Sequence, residues 1–249
     1  MPTIDVPTGA QLHYEDLGEG DTVILVHGML GTPRLHFSRI LEWLTPHFRV
    51  VAPTMRGYGE SYPKPRDFPL NFYHRDTGDL LAFMDMLKID RAHILGYSDG
   101  GEIALIAAGK QPERFRSVAV WGAVGYFGPA MRPVAQRMYP ADWMTEEEKA
   151  LHGIPDANQF ALGWINAVKH MIDAGGDVSL SLAPNITCPL LLMLGKQDTL
   201  NPAAYGRNFV EKTAQGRLQM FDCAHPVHDQ QWEAFQQIVG NFLGMNGDS

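Results

Sequence analysis

The chain has 249 residues, 45% of them hydrophobic, and a formal net charge of -8 at pH 7. That is enough for one large domain, or one domain with a modest insertion, and the charge has the wrong sign for nucleic acid or an anionic membrane surface. Cys188 and Cys223 lack the paired spacing of a disulfide framework or zinc site, no basic and apolar leader opens the sequence, and no run approaches the roughly 18 apolar residues of a membrane span, so a soluble, cytoplasmic protein is expected.

Ile4 to Val6 and Gln11 to Asp16 read as two edge strands around a Pro7-Thr8-Gly9 turn. Thr22 to Val26 is a continuous apolar run, the pattern of a strand covered on both faces. A helix is predicted over Pro33 to Leu44, a strand over Arg49 to Ala52, a helix over Phe72 to Leu87, a strand over Ala92 to Gly96, and a helix rich in small residues over Asp99 to Lys110. This alternation predicts a mostly parallel central sheet with helices on both faces. After a strand over Ser117 to Gly122 the pattern breaks. Residues 128–186 turn to amphipathic helices and loops punctuated by Pro129, Pro133, Pro140, Pro155 and Pro184, which predicts a small helical cap inserted between core segments 1–127 and 187–249. The alternation resumes with a strand over Pro189 to Gly195, a helix over Ala203 to Thr213, a strand over Arg217 to Phe221 and a helix over Gln230 to Phe242; Asn246 to Ser249 reads as a frayed tail.

Gly96-Tyr97-Ser98-Asp99-Gly100 matches G-x-S-x-G where an apolar strand closes and a helix opens. Such a turn brings strand end and helix start too close for a Cβ, so glycine is needed on both sides of the serine. A serine hydroxyl is a weak nucleophile at neutral pH and needs a base within about 3 Å, itself oriented by an acid. In chain order the acid follows a late strand and the histidine follows the last one, which singles out Asp198 and His225. His228 is the rival base, favoured less because it lies further from the strand end; His225 and His228 with Asp222 and Asp229 also admit a metal-site reading, without a third cluster to support it. An oxyanion needs preformed donors: the backbone N–H of Asp99, directly after the serine, and that of Met29 in His27-Gly28-Met29-Leu30-Gly31, after the first buried strand. His27 reads as a structural hydrogen bonder, and the remaining histidines, His152 among them, as structural or exposed.

With these motifs placed, the sequence resembles the α/β hydrolases of the valacyclovir hydrolase and biphenyl hydrolase-like family. The resemblance covers most of the core and rests on Gly28-Met-Leu-Gly31, Arg56-Gly-Tyr-Gly-Glu-Ser61, Arg66-Asp-Phe-Pro69, Arg75-Asp76, Ser98-Asp-Gly-Gly101 with Ala104-Leu-Ile-Ala-Ala108, and Trp121-Gly-Ala123. It implies an α/β-hydrolase fold and, through Asp99, a carboxylate that binds the α-amino group of an amino-acid ester. A carboxylate in a helix's first turn also suits the helix dipole whatever the substrate. The cap departs most from the family: Trp143, Phe160, Trp164 and Met171 are candidates to line a pocket, yet Phe160, Trp164, Val168 and Met171 have the spacing of a helix packed on the core.

The function expected is cofactor-independent hydrolysis of a small-molecule carboxylic ester through an acyl-enzyme, with a lean toward α-amino-acid esters. Ser98 argues against relatives that use an aspartate nucleophile. Carbon-carbon bond hydrolases, cofactor-free perhydrolases and a non-catalytic ligand-binding member of the fold remain open, as does the oligomeric state.

Overall fold

The central strands of this chain, such as Thr22–Val26 and Leu190–Gly195, bury both of their faces because successive residues along them are apolar. The computed structural model, which describes residues 2–245, has strands β1 (Thr3–Val6), β2 (Ala10–Leu17), β3 (Thr22–Val26), β4 (Arg49–Pro53), β5 (Ala92–Tyr97), β6 (Phe115–Trp121), β7 (Leu190–Gly195) and β8 (Gly216–Phe221). They form an 8-stranded sheet ordered β1-β2-β4-β3-β5-β6-β7-β8. The β1–β2 and β2–β4 pairs are antiparallel and the rest parallel.

On one face Val23, Leu25, Val50, Ala52, Leu95, Ala119 and Trp121 pack with helices α1 (Pro33–Leu44) and, near the C-terminus, Trp232–Phe242. On the other, Ile24, Val26, Val51, Ile94, Val118 and Val120 pack with α2 (Phe72–Met86) and α3 (Asp99–Lys110). Each fully buried Val, Leu or Ile contributes about 1.5 to 3 kcal/mol, and because neighbours in sequence serve opposite layers, one short strand stabilises both. Ala104, Ala107 and Ala108 are fully buried in α3 and let it lie close on the sheet.

Between β6 and β7, where the sequence predicts the cap, lie α4 (Arg132–Gln136), α5 (Glu146–His152) and α6 (Ala157–Asp173). The α5 helix starts with a capping box between Thr145 and Glu148 and stops at Gly153, at φ 62°; such caps satisfy end groups that the helix leaves unpaired. Asp156 caps α6 by accepting the Gln159 N–H at 3.0 Å. Phe160, Trp164 and Val168 then turn inward to join the α2 and α3 layer, and partly buried Met171 packs against it. After β7 come α7 (Ala203–Val210), then α8 (Val227–Gln230) and α9 (Trp232–Phe242).

The fold class expected from the alternation is the one observed, with three departures. The second leading strand is no edge: β2 sits between β1 and β4, since its backbone also pairs from Tyr14 to Leu17 with Val50 to Pro53. The last helix starts at Trp232 rather than Gln230, and a short helix not expected from the sequence, Val227–Gln230, precedes it across Gln231, whose φ of -136° and ψ of 48° cannot continue an α-helix. The helix after β7 ends at Val210, not Thr213, whose hydroxyl turns back to the Val210 carbonyl. The tail, 246–249, lies outside the described residues, and among those described no helix is long and apolar enough to cross a membrane.

Candidate active site

Ser98 joins β5 to α3 at φ 55° and ψ -122°, a conformation that costs a non-glycine residue on the order of 1 to 3 kcal/mol. It is held by its N–H to the Trp121 carbonyl at 2.8 Å and by the Gly101 N–H on its own carbonyl at 2.8 Å. The glycines leave no alternative: a Cβ on Gly96 would lie 2.4 Å from the Gly100 carbonyl oxygen, and one on Gly100 2.0 Å from that of Val26. The strained turn lifts the Ser98 side chain clear of the sheet's end.

The loops after β7 and β8 meet it there. His225 Nε2 stands 2.9 Å from Ser98 Oγ, and His225 Nδ1 is 2.7 Å from Asp198 Oδ2. Burial pushes the Asp198 carboxyl up, but hydrogen bonds from His225 and Asn201 outweigh it and hold it below the usual carboxylate range. An ionised carboxylate only accepts, so Nδ1 carries the proton and Nε2 is free to accept the Ser98 hydroxyl proton. Asp198 is itself fixed by the backbone N–H groups of Leu200 and Asn201, at 2.9 and 3.1 Å, and by Asn201 Nδ2 at 3.1 Å. Asn201 escaped the sequence reading; its only signal is an Asn three residues after an Asp, common in turns. The arrangement can move a proton from hydroxyl to imidazole and stabilise the imidazolium that results.

The loop after β3 closes on the same serine, with Gly28 so near that a Cβ there would meet the Ser98 Cβ at 2.9 Å. The Gly28 carbonyl is gripped twice, by His27 Nδ1–H at 2.7 Å and by the Gly31 N–H at 3.1 Å. That carbonyl shares a planar trans peptide with the Met29 N–H, so fixing one aims the other the opposite way. His27 Nε2 accepts the Met55 N–H at 2.8 Å. Burial above all, with His36 and His152 nearby, drives His27 down to about 3 despite the Gly28 bond, so it is neutral and its tautomer set. Asp99 opens α3, and its N–H, like those of any first helical turn, has no partner within the helix.

The Asp99 side chain is 8% exposed. Its Oδ1 accepts the Tyr73 hydroxyl at 2.6 Å and the Trp164 Nε1–H at 3.3 Å, while its Oδ2 is buried with no partner. Burial raises the Asp99 carboxyl above its ordinary range, opposed by the Tyr73 bond and by the nearby Arg66 charge. Arg66 is committed elsewhere, to Asp76 at 2.5 Å and the Arg56 carbonyl at 3.0 Å, and Arg56 in turn pairs with Asp79 through two bonds of 2.7 Å. The arginine and aspartate motifs thus tie the loop after β4 to α2. Of the cap aromatics, Trp164 reaches Asp99, Phe160 packs edge-on against Phe68 at 5.0 Å, and Trp143 is 40% exposed. A cleft of about 310 Å³ lies along α6, lined by Arg66, Phe68, Ile154, Gln159, Phe160 and Gly163 among others.

His228 is turned away from the serine. Its Nδ1 accepts the Trp121 indole N–H at 3.0 Å and its Nε2–H donates to the His36 carbonyl at 3.1 Å, and burial lowers it further. With both nitrogens occupied it neither replaces His225 nor offers a metal a lone pair. Among the described residues no group of three or more His, Cys, Asp or Glu side chains converges as a metal site.

Residues 21–170 match the family model of the alpha/beta hydrolase fold, and the chain belongs to that family of hydrolases, on its biphenyl hydrolase-like branch. It is 35% identical to the human serine hydrolase BPHL, over 94% of this chain and 84% of that one. It is 32% identical to the 2-hydroxy-6-oxo-2,4-heptadienoate hydrolase of Pseudomonas putida, over 94% of this chain and 93% of the relative. Among solved structures, the enol-lactonase of Burkholderia xenovorans superposes with a TM-score of 0.74 at 27% identity, covering 97% of this chain and 99% of that one.

Proposed function

We propose that the chain is a serine-dependent carboxylic ester hydrolase, acting without a cofactor on small α-amino-acid esters through an acyl-enzyme. Ser98 attacks the ester carbonyl as His225 takes its proton, and Asp198 holds the imidazole in the required tautomer. The Met29 and Asp99 N–H groups receive the oxyanion; His225 then returns the proton to the leaving alcohol, and water repeats the sequence to release the acid.

The observation that carries the catalytic part is the unbroken hydrogen-bond series from Ser98 through His225 to Asp198. The amino-acid part rests on the Asp99 Oδ2, a buried carboxylate oxygen beside the serine with no partner inside the protein. Leaving such an atom unpaired costs about 1 to 3 kcal/mol, a cost that a substrate ammonium removes. A helix dipole alone asks for no burial.

The test is a panel of activated esters with matched acyl chains, with and without a free α-amine. The free-amine esters should have the higher kcat/KM, and equal values would remove the amino-acid assignment while leaving the esterase. A second reading, carbon-carbon bond hydrolysis of a dienoate, is favoured by the name of the Pseudomonas putida relative; turnover of such a dienoate faster than any ester in the panel would favour it instead.

A further inference from the structure

His152 has no place in the chemistry above, yet it is fully buried at the end of α5, within the segment between β6 and β7. It reaches back to the serine's side of the molecule. Its Nδ1 accepts the Gly59 N–H at 3.0 Å, and its Nε2 lies 3.0 Å from the Leu30 carbonyl oxygen. A neutral imidazole whose Nδ1 accepts must carry its proton on Nε2, so the Leu30 bond is a donation.

Leu30 directly follows Met29 and has φ 56°. A leucine in the left-handed region persists only where its surroundings impose it, and the bond on its carbonyl comes from His152. Tyr58 continues the support: its ring meets His152 edge-on at 5.3 Å and His27 at 5.5 Å. The loop is thus gripped at the Gly28 carbonyl by His27 and at the Leu30 carbonyl by His152, with the Met29 N–H between them.

We infer that His152 is a positioning residue for the oxyanion loop, through which the β6–β7 segment holds the Met29 N–H on target. The inference rests on the proposed esterase mechanism. Releasing one end of the loop should misplace a donor used only as the oxyanion forms, so the loss should fall on kcat and not on KM.

The two bonds are separable. His152→Gln places an amide N–H near the position of Nε2 and keeps the Leu30 donor while giving up Gly59. His152→Asn places its carbonyl near Nδ1 and keeps Gly59 while giving up Leu30. On a neutral activated ester, His152→Asn should lower kcat 10- to 100-fold with KM within about threefold, while His152→Gln should stay within about fivefold of the unaltered chain. Thermal unfolding of both variants checks the fold. Equal kcat in both, or a loss confined to KM, overturns the inference; should His152→Asn not fold, a large kcat loss in a folded His152→Gln still does so. Phosphonate labelling of Ser98 in the unaltered chain is read first, and its absence overturns the esterase mechanism, and this inference with it.

Discussion

Replacing Asp99 by Asn removes one negative charge and little else. The Asn carbonyl can still accept the Tyr73 hydroxyl and Trp164 N–H that now bind Oδ1, and the backbone N–H of residue 99 is unchanged. What disappears is the buried anionic Oδ2, replaced by an NH2 that would meet the ammonium of the proposed substrate. Arg66 offsets the Asp99 charge only in part, because it is already paired with Asp76, and a charged hydrogen bond at this site should contribute about 1.5 to 3 kcal/mol. That is roughly 10- to 150-fold in kcat/KM. The assay is the ratio of kcat/KM for a free-amine ester to that for its des-amino analogue. It should collapse toward one in Asp99→Asn, with the des-amino rate within a few-fold of the parent. The ratio also cancels any pH dependence that the two esters share, leaving Asp99 and the amine. Burial raises the Asp99 carboxyl and only its ionised form pairs with an ammonium, so the ratio should climb with pH above the ordinary carboxylate range. It should fall again as the substrate amine loses its proton near pH about 8. If Asp99 serves only the helix dipole, the variant should lose roughly 0.3 to 1 kcal/mol of stability and keep its ratio; that result would refute the reasoning.

Asp198→Asn should leave the fold intact but cut kcat by roughly 10⁴, because an amide facing Nδ1 favours the wrong imidazole tautomer; a loss below tenfold in steady-state kinetics would contradict the role. His228→Phe should do the reverse, keeping kcat within about threefold while costing about 1 to 3 kcal/mol by unpairing the Trp121 indole and the His36 carbonyl, read by denaturant unfolding; a collapse of kcat in a folded variant would restore it as the base. Burial pushes Glu102 from 4.5 up to about 7, although the Val124 and Gly125 N–H groups pull the other way. Between those pH values the folded chain keeps a proton that the unfolded chain has lost, so this group makes stability fall as pH rises. Glu102→Gln should remove that slope from melting curves taken at pH 4.5 to 7, and an unchanged slope would show that Glu102 does not titrate there.

The parallel sheet and the strained serine were legible because each depends on neighbours in sequence: apolar runs that bury both faces, and glycines spaced around Ser98. Asp198 and His225 could be singled out from chain order, since each follows one of the last two parallel strands, β7 and β8, which lie beyond β6 on the same side of β5. Contacts between distant segments were not. Nothing in the spacing shows that Tyr73 and Trp164 would both take Oδ1 of Asp99 and leave Oδ2 bare, and His152 looked like any isolated histidine because its partners, Leu30 and Gly59, are far away in the chain. The interior place of β2 was hidden likewise: its alternating pattern fits an edge, and only the pairing of Tyr14 to Leu17 with β4 shows otherwise.

The central claim is that Ser98 is the nucleophile. Its most direct test is intact-mass measurement and peptide mapping of the unaltered chain after treatment with a fluorophosphonate. One adduct per chain, on the peptide containing Ser98, with ester hydrolysis lost in proportion to labelling, is the predicted result. Stoichiometric labelling at another residue, or full ester hydrolysis by a chain labelled at Ser98, would contradict it.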